Sequence, residues 1–148
     1  MIVFLRSKEN VNRLEEVFGT DGEFSFIHAG KEQNARLKAV ERFKEGESRV
    51  LIATDVIARG IDIDNVSTVI TFDTPHYSEN YIHRIGRTGR AGKSGIAITL
   101  ATPAEYRKLN NIQRVSNSTI TRQKLPTISD VVGGKKARIK AKISLISI

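Results

Sequence analysis

The highest concentration of residues that could bind or react with a ligand lies in residues 83–90, which read HRIGRTGR. Arg84, Arg87 and Arg90 recur at every third position, with one glycine between each pair. Arginine stays charged at any physiological pH, and its planar fork of N–H donors matches the oxygens of phosphate. Glycine lets backbone and ligand approach closely. If the stretch is helical, the three arginines share one side and predict an anion site. The alternative is a surface ion-pair network, although few carboxylates are nearby in sequence.

A second stretch with chemical potential is ATDVIARGIDI, residues 53–63. Asp55 and Arg59 stand four apart, so the simpler interpretation is an ion pair on a short capped helix. The functional interpretation is a loop after a strand. In that loop Thr54 and backbone N–H groups hold a phosphate, and Asp62 accepts a hydrogen bond from a sugar hydroxyl.

A third stretch, QNAR, places Gln33 and Arg36 in the first turn of a predicted helix. Helix N-termini attract phosphates. The alternative is an ordinary solvated helix face, which is the better interpretation of this stretch taken by itself. The polar residues RSK at 6–8 follow a predicted strand and indicate still less.

The motifs that are missing also carry information. The sequence contains no G-x-x-x-x-G-K-[ST] stretch, so we expect it to have no phosphate cradle of its own. Arginine fingers stabilise the charge that develops in phosphoryl transfer. Arginine fingers in a chain that has no phosphate-binding loop predict that another domain holds the triphosphate. His28, His76 and His83 are not spaced as metal ligands and have no cysteine partners, so we predict no metal site.

Hydrophobic periodicity predicts the elements that must position these residues. We expect strands at 2–6, 24–28, 49–54, 66–72 and 95–101, and helices at 10–18, 32–46, 78–85 and 102–114. Ser78 is the expected N-cap of the third helix, and the fourth opens with Thr then Pro. Strands that alternate with helices indicate an α/β domain whose mainly parallel sheet has helices on both faces. Such sheets bind ligands at the carboxyl ends of their strands.

The basic charge is concentrated toward the C-terminus. The net charge is +8 with a pI of about 10.0, which suggests nucleic acid as a partner. Seven basic residues and one acid between Arg122 and Lys142 supply +6 of it. We predict a domain at 1–125 and a basic extension or linker at 126–148. Within the extension, VVGGKK resembles a hinge, and 137–148 fits either a strand or a helix. Its apolar end suggests a chain cut from something longer.

The remaining bulk features restrict the class of protein. The 148 residues fit one domain, and 39% of them are hydrophobic, enough for a core. The sequence has no cysteine, no apolar run of transmembrane length and no signal-peptide pattern. We therefore expect a cytoplasmic protein that does not interact with a membrane.

Together these stretches resemble a known family. ATDVIARGIDI followed by HRIGRTGR is similar to the second RecA-like domain of DEAD-box RNA helicases, and the similarity extends from VFLRSK through HAGKEQNAR to about residue 126. It implies a RecA-like, P-loop NTPase-type three-layer domain. Two departures are Ala29, where the family often has glycine, and Ser7, where threonine is commoner. They affect only the expected RNA geometry there. The tail loosely resembles the bacterial cold-shock and ribosome-associated branch.

The resemblance also implies roles for individual residues. Arg87 and Arg90 would contact the terminal phosphates of ATP, with Arg90 as the finger, and His83 would link to the partner domain. Gly60 and Asp62 would bind the nucleotide, and Arg59 and Gln33 would lie at the cleft between domains. The residues expected along the RNA backbone are Ser7, Gly30, Arg36, Thr54 and Asp55. Mg²⁺ would be held mainly by the missing N-terminal RecA-like domain.

The resemblance implies half of an ATP-dependent RNA helicase that is inactive alone and binds RNA without regard to sequence. Two alternatives remain open at this point. One is a DNA helicase of a neighbouring family, and the other is a non-catalytic RNA-binding or assembly module that retains the fold. The sequence does not predict the RNA substrate or the oligomeric state.

Overall fold

The structure is a computed structural model, and it describes residues 1–19, 22–55 and 63–146, with side chains up to residue 137. The strands are β1 (Ile2–Leu5), β2 (Phe24–Ile27), β3 (Val50–Thr54), β4 (Thr68–Thr71) and β5 (Ile96–Thr99). The helices are α1 (Lys8–Phe18), α2 (Gln33–Lys44), α3 (Ser78–Ile85), α4 (Tyr106–Ser116) and α5 (Ile128–Ile146), and a 3₁₀ turn (Pro103–Glu105) leads into α4.

The five strands form one parallel sheet in the order β2-β3-β1-β4-β5. The predicted α/β class with a parallel sheet is therefore confirmed. Leu5 pairs with Thr54 and Ile27 with Ala53, so the carboxyl ends of β1, β2 and β3 lie side by side. Any residues that directly follow these three strands are consequently neighbours in space.

Apolar side chains alternate across the sheet and make a core on each face. On one face, Phe4 and Leu51 lie in a cluster that Phe43 of α2 covers. On the other face, Leu5 and Ile52 lie in a cluster that includes Val11 of α1. Alternation follows from the two-residue period of a strand. Helices thus cover both faces of the sheet, as predicted for a parallel sheet.

Local caps explain where several helices begin and end. The side chain of Ser7 accepts a hydrogen bond from the backbone N–H of Asn10 and caps α1. The expectation for Ser78 was wrong: Ser78 is the first residue of α3, and Tyr77 is the N-cap, without a side-chain bond. Thr102 and Glu105 form a capping box before α4, so the predicted Thr-Pro start is confirmed with a 3₁₀ turn at its beginning.

The chain divides into two compact units, Met1–Ser118 and Thr119–Ile148. The predicted boundary at residue 125 stays a prediction about domain organisation. In the second unit α5 runs without a break through Gly133 and Gly134. The predicted hinge at VVGGKK was therefore wrong, and the choice that periodicity left open is decided as a helix. No helix in the part of the chain that the structure describes has the length and apolar character to cross a bilayer.

Candidate phosphate and nucleic-acid site

Arg84 is the anchor of the arginine motif. It lies in α3 with its side chain 0% exposed. Its Nε and Nη2 donate to the two carboxylate oxygens of Asp55, the second at 2.8 Å, and its Nη1 donates to the carbonyl of Asp73 at 2.8 Å. The guanidinium also lies over the ring of Phe4, 5.6 Å from its centroid. This bidentate, desolvated arrangement is structural and joins α3 to the ends of β3 and β4.

Arg87 and Arg90 lie beyond the end of α3, which finishes at Ile85. The condition for a shared helical side, that the whole stretch be helical, is therefore not met. Arg87 Nη1 donates to Asp64 Oδ1 at 3.0 Å, and Arg90 Nη1 donates to Asp64 Oδ2 at 2.8 Å. Their side chains are 14% and 49% exposed, and that of Asp64 is 28% exposed. Two arginines thus converge on one accessible carboxylate.

The backbone around Arg87 is fixed against the segment that enters β4. The N–H of Val66 donates to the carbonyl of Arg87 at 3.1 Å, and the hydroxyl of Thr88 donates to the carbonyl of Val66. Gly89 has φ of +67°, and a Cβ at Gly95 would overlap Thr88, so both positions need glycine. The arginine cluster consequently lies beside the amino end of β4. This position differs from the carboxyl ends of strands, where the sequence pattern predicts ligand binding.

The ion-pair alternative from the sequence is present, but with partners that sequence distance concealed. The carboxylates come from Asp55 and Asp64, which lie 29 and 23 positions from their arginine partners in the chain. Both oxygens of Asp55 accept from Arg84, while Arg59, the partner suggested for Asp55, lies outside the described residues. Asp64 and Asp73 were missed. The only local signal for Asp64 is its place directly after the GIDI segment.

The residues proposed for RNA contact follow strands β1, β2 and β3. Thr54 ends β3 and is buried, while Ser7 is half-buried beyond the neighbouring strand β1. Gly30 follows β2 and is exposed. Because the carboxyl ends of these strands are adjacent, the sheet brings the three positions to one edge. The backbone of Asp55 lies at the same edge, but its carboxylate is bonded to Arg84.

His28 supports the backbone of the loop at Gly30. Its Nδ1 accepts from the Gly30 N–H at 3.1 Å, and its Nε2 lies 2.8 Å from Asn12 Oδ1. These two bonds match the neutral ring with its proton on Nε2. Burial, followed by the positive charge of Lys31, lowers the pKa of His28. The ring therefore stays neutral and holds the loop near neutral pH.

Gln33 and Arg36 lie in the first turn of α2, as predicted. Arg36 Nη1 donates to Gln33 Oε1 at 3.0 Å. The Nε of Arg36 is buried and has no hydrogen-bond partner. An unpaired buried donor of a charged group is costly, and a phosphate oxygen would satisfy it.

For the other residues predicted to belong to the site, the structure gives less information. His83 is exposed on α3. Arg59, Gly60 and Asp62 lie outside the described residues. Within the described ranges, no group of three or more His, Asp or Glu side chains is arranged to hold a metal ion.

Comparison with known proteins identifies the family of this chain. Residues 1–92 match the model of the helicase conserved C-terminal domain. The chain belongs to this helicase C-terminal domain family. It is 44% identical over 136 residues to a protein of Geobacillus kaustophilus named DEAD-box ATP-dependent RNA helicase CshA. That match covers 91% of this chain and 29% of the relative. This chain therefore spans less than a third of the length of this relative.

Solved structures of DEAD-box proteins share the fold. A DEAD-box protein of the hyperthermophile Methanococcus jannaschii matches with a TM-score of 0.76 and 40% identity, over 83% of this chain and 34% of that one. S. cerevisiae Dbp5 bound to RNA and ADP BeF3 matches with a TM-score of 0.75 and 36% identity, over 94% of this chain and 37% of that one. This chain is thus a DEAD-box type C-terminal helicase domain with a RecA-like fold.

Proposed function

We propose that this domain is the C-terminal half of an ATP-dependent RNA helicase, in which it supplies arginine fingers and RNA-backbone contacts. The observation that carries the proposal is the convergence of Arg87 and Arg90 on one carboxylate. Two guanidinium groups aimed at one pair of oxygens make the geometry that a terminal phosphate requires. The DEAD-box relatives support the same function through their names.

At the nucleotide, Arg87 and Arg90 would contact the terminal phosphates, and Arg90 would be the finger because it is the more exposed of the two. His83 would contact the N-terminal RecA-like domain of the same protein. Gly60 and Asp62 would bind the ribose side, and Arg59 and Gln33 would lie at the interdomain cleft. The cation that accompanies ATP would be Mg²⁺. It would be held mainly by the N-terminal RecA-like domain.

At the RNA, the edge that follows β1, β2 and β3 would contact phosphates and sugars. Arg36 carries a buried Nε without a partner, and Ser7, Gly30 and Thr54 lie at the edge where β1, β2 and β3 end. Asp55 would act by fixing Arg84, and any RNA contact at this position would be made by its backbone. Contacts of this kind position a strand without reading its sequence.

The test distinguishes an arginine that acts in ATP hydrolysis from an arginine that binds RNA. It uses a protein that contains both RecA-like domains, since the domain alone has no phosphate cradle and should not hydrolyse ATP. Arg90→Ala should lower the maximal ATPase rate on the order of 10³-fold, because finger contacts form mainly in the transition state. Arg90→Lys should rescue little, since a point charge lacks the planar fork.

Arg36→Ala is the matched control. It should raise the RNA concentration needed for half-stimulation and leave the maximal rate at saturating RNA nearly unchanged. Steady-state ATPase titrations over ATP and RNA measure both variants. If Arg90→Ala kept the maximal rate and only weakened RNA binding, the arginines would be an RNA-binding cluster and the finger role would be wrong.

A further inference from the structure

Asp64 is the residue for which neither the motifs nor the proposed function has a role. Its two carboxylate oxygens are divided between two arginines, with 3.0 Å to Arg87 and 2.8 Å to Arg90. Without an anion between them, two guanidinium groups this close would repel each other. Asp64 brings one negative charge to this point between the two guanidinium groups. A pyrophosphate group at the same point would bring more charge and more acceptor oxygens.

The main chain of Asp64 is held in place on both sides. Ile63 is buried in the core on the α2 face, and Val66 is bonded through its backbone to Arg87. Between them, Asn65 has φ of 61°, a left-handed conformation that asparagine tolerates better than most residues. Because the backbone is fixed, the carboxylate can exchange its partners by side-chain rotation alone.

We propose that Asp64 is a placeholder anion. In the ligand-free domain its carboxylate occupies the point between Arg87 and Arg90 that a terminal phosphate takes when nucleotide binds. This inference rests on the proposed function of the two arginines and goes beyond it, since it assigns Asp64 a competing role. Asp64 keeps the arginines converged while the site is empty, and it weakens their binding to phosphate.

The exposure of the pair makes such an exchange feasible. Arg90 is 49% exposed and Asp64 28%, so solvent screens their attraction, and breaking the pair is inexpensive. A pyrophosphate group carries more charge and more acceptor oxygens than a carboxylate, and each arginine can bind it bidentately. The pair of Arg84 and Asp55 could not be exchanged in this way, because the side chain of Arg84 is 0% exposed and its charge would be left desolvated.

The experiment titrates the 148-residue chain with pyrophosphate and follows binding by calorimetry and by the NMR signals of the arginine side chains. Asp64→Asn removes the competing charge and keeps the size of the side chain. It should bind pyrophosphate about five-fold more tightly, the effect of one unit charge at about 4 Å in water. Glu16→Gln on the exposed face of α1 makes the same change in net charge and should bind like the wild type.

Arg90→Ala separates failure of this inference from failure of the proposed function. If Arg90→Ala binds pyrophosphate as well as the wild type, the arginines are not the phosphate site, and both ideas fail. If Arg90→Ala weakens binding while Asp64→Asn leaves it unchanged or weaker, only the placeholder role is overturned. As a check that does not depend on a variant, the carboxyl carbon signal of Asp64 in the wild type should shift on pyrophosphate addition. An unshifted signal would contradict the exchange.

Discussion

Two arginines of one eight-residue motif have opposite environments. Arg84 has its side chain 0% exposed and is bonded to Asp55 and to the carbonyl of Asp73. Arg90 has its side chain 49% exposed and donates to Asp64. Both form ion pairs with aspartate at similar distances, so the distance alone does not distinguish them. Burial does, and it assigns the first arginine to the fold and the second to a site.

The difference follows from where α3 ends. Arg84 is still helical, and its position on α3 directs it toward the sheet, over Phe4. The helix ends at Gly86, so Arg90 follows in a turn that includes Gly89 at positive φ. Repeated spacing in a sequence therefore does not mean a shared role when an element ends inside the repeat.

The largest expected effect on stability is at the buried pair. Arg84→Met should lower the free energy of unfolding by roughly 3 kcal/mol, because it leaves Asp55 without its partner at a partly buried position. Urea denaturation followed by circular dichroism measures this value. The double variant Arg84→Met with Asp55→Leu removes both charges and should recover part of the loss. A loss below about 1 kcal/mol would place Arg84 in the same class as the exposed arginine.

The matched change at the exposed pair should be much smaller. Arg90→Ala should change the free energy of unfolding by about 0–1 kcal/mol, as is typical of solvent-exposed ion pairs. The same denaturation assay applies, and added salt should reduce the difference further, since salt screens exposed charges. An effect as large as that of Arg84→Met would mean that the Asp64 cluster also holds the fold together.

The smallest expected effect concerns His28 and pH. The pKa of His28 is lowered by burial and then by Lys31, so the unfolded chain, with an ordinary histidine pKa near 6.5, binds a proton first as pH falls. The stability that this ring contributes is complete above about pH 6.5 and declines as pH falls from there toward the folded pKa. Denaturation midpoints at pH values from about 7.5 to 5.5 measure the slope.

His28→Gln is the control for this slope. The variant removes the titrating ring, so its midpoint should fall less over the same range than that of the wild type. The charged groups near the ring are Lys8, Glu9, Glu15 and Lys31. The pKa of Glu9 is lowered, chiefly by hydrogen bonds from the backbone and Ser7, so this carboxyl titrates below the range that is measured. Equal slopes for the two proteins would show that His28 does not contribute.

Local pattern was sufficient for much of the architecture. Apolar periodicity identified the five strands and four of the helices in the part of the chain that the structure describes, since a strand or helix inside a layered domain must present an apolar face at its own period. The sequence pattern gave a wrong prediction where residues of low helix propensity lie inside a helix. Gly133 and Gly134 suggested a hinge, yet they lie inside α5, because two glycines lower helix stability without forbidding a helix.

What the sequence by itself determined is the parallel α/β fold, the membership in the helicase family and the presence of a motif with three regularly spaced arginines. Only the tertiary structure decided which carboxylate meets which arginine. Asp55 and Asp64 are far from residues 83–90 in the chain, and the strand order brings them together. Burial in turn depends on packing from several elements at once. The separation of Arg84 as an anchor from Arg87 and Arg90 as accessible donors is therefore a property of the folded sheet, which spacing along the chain does not encode.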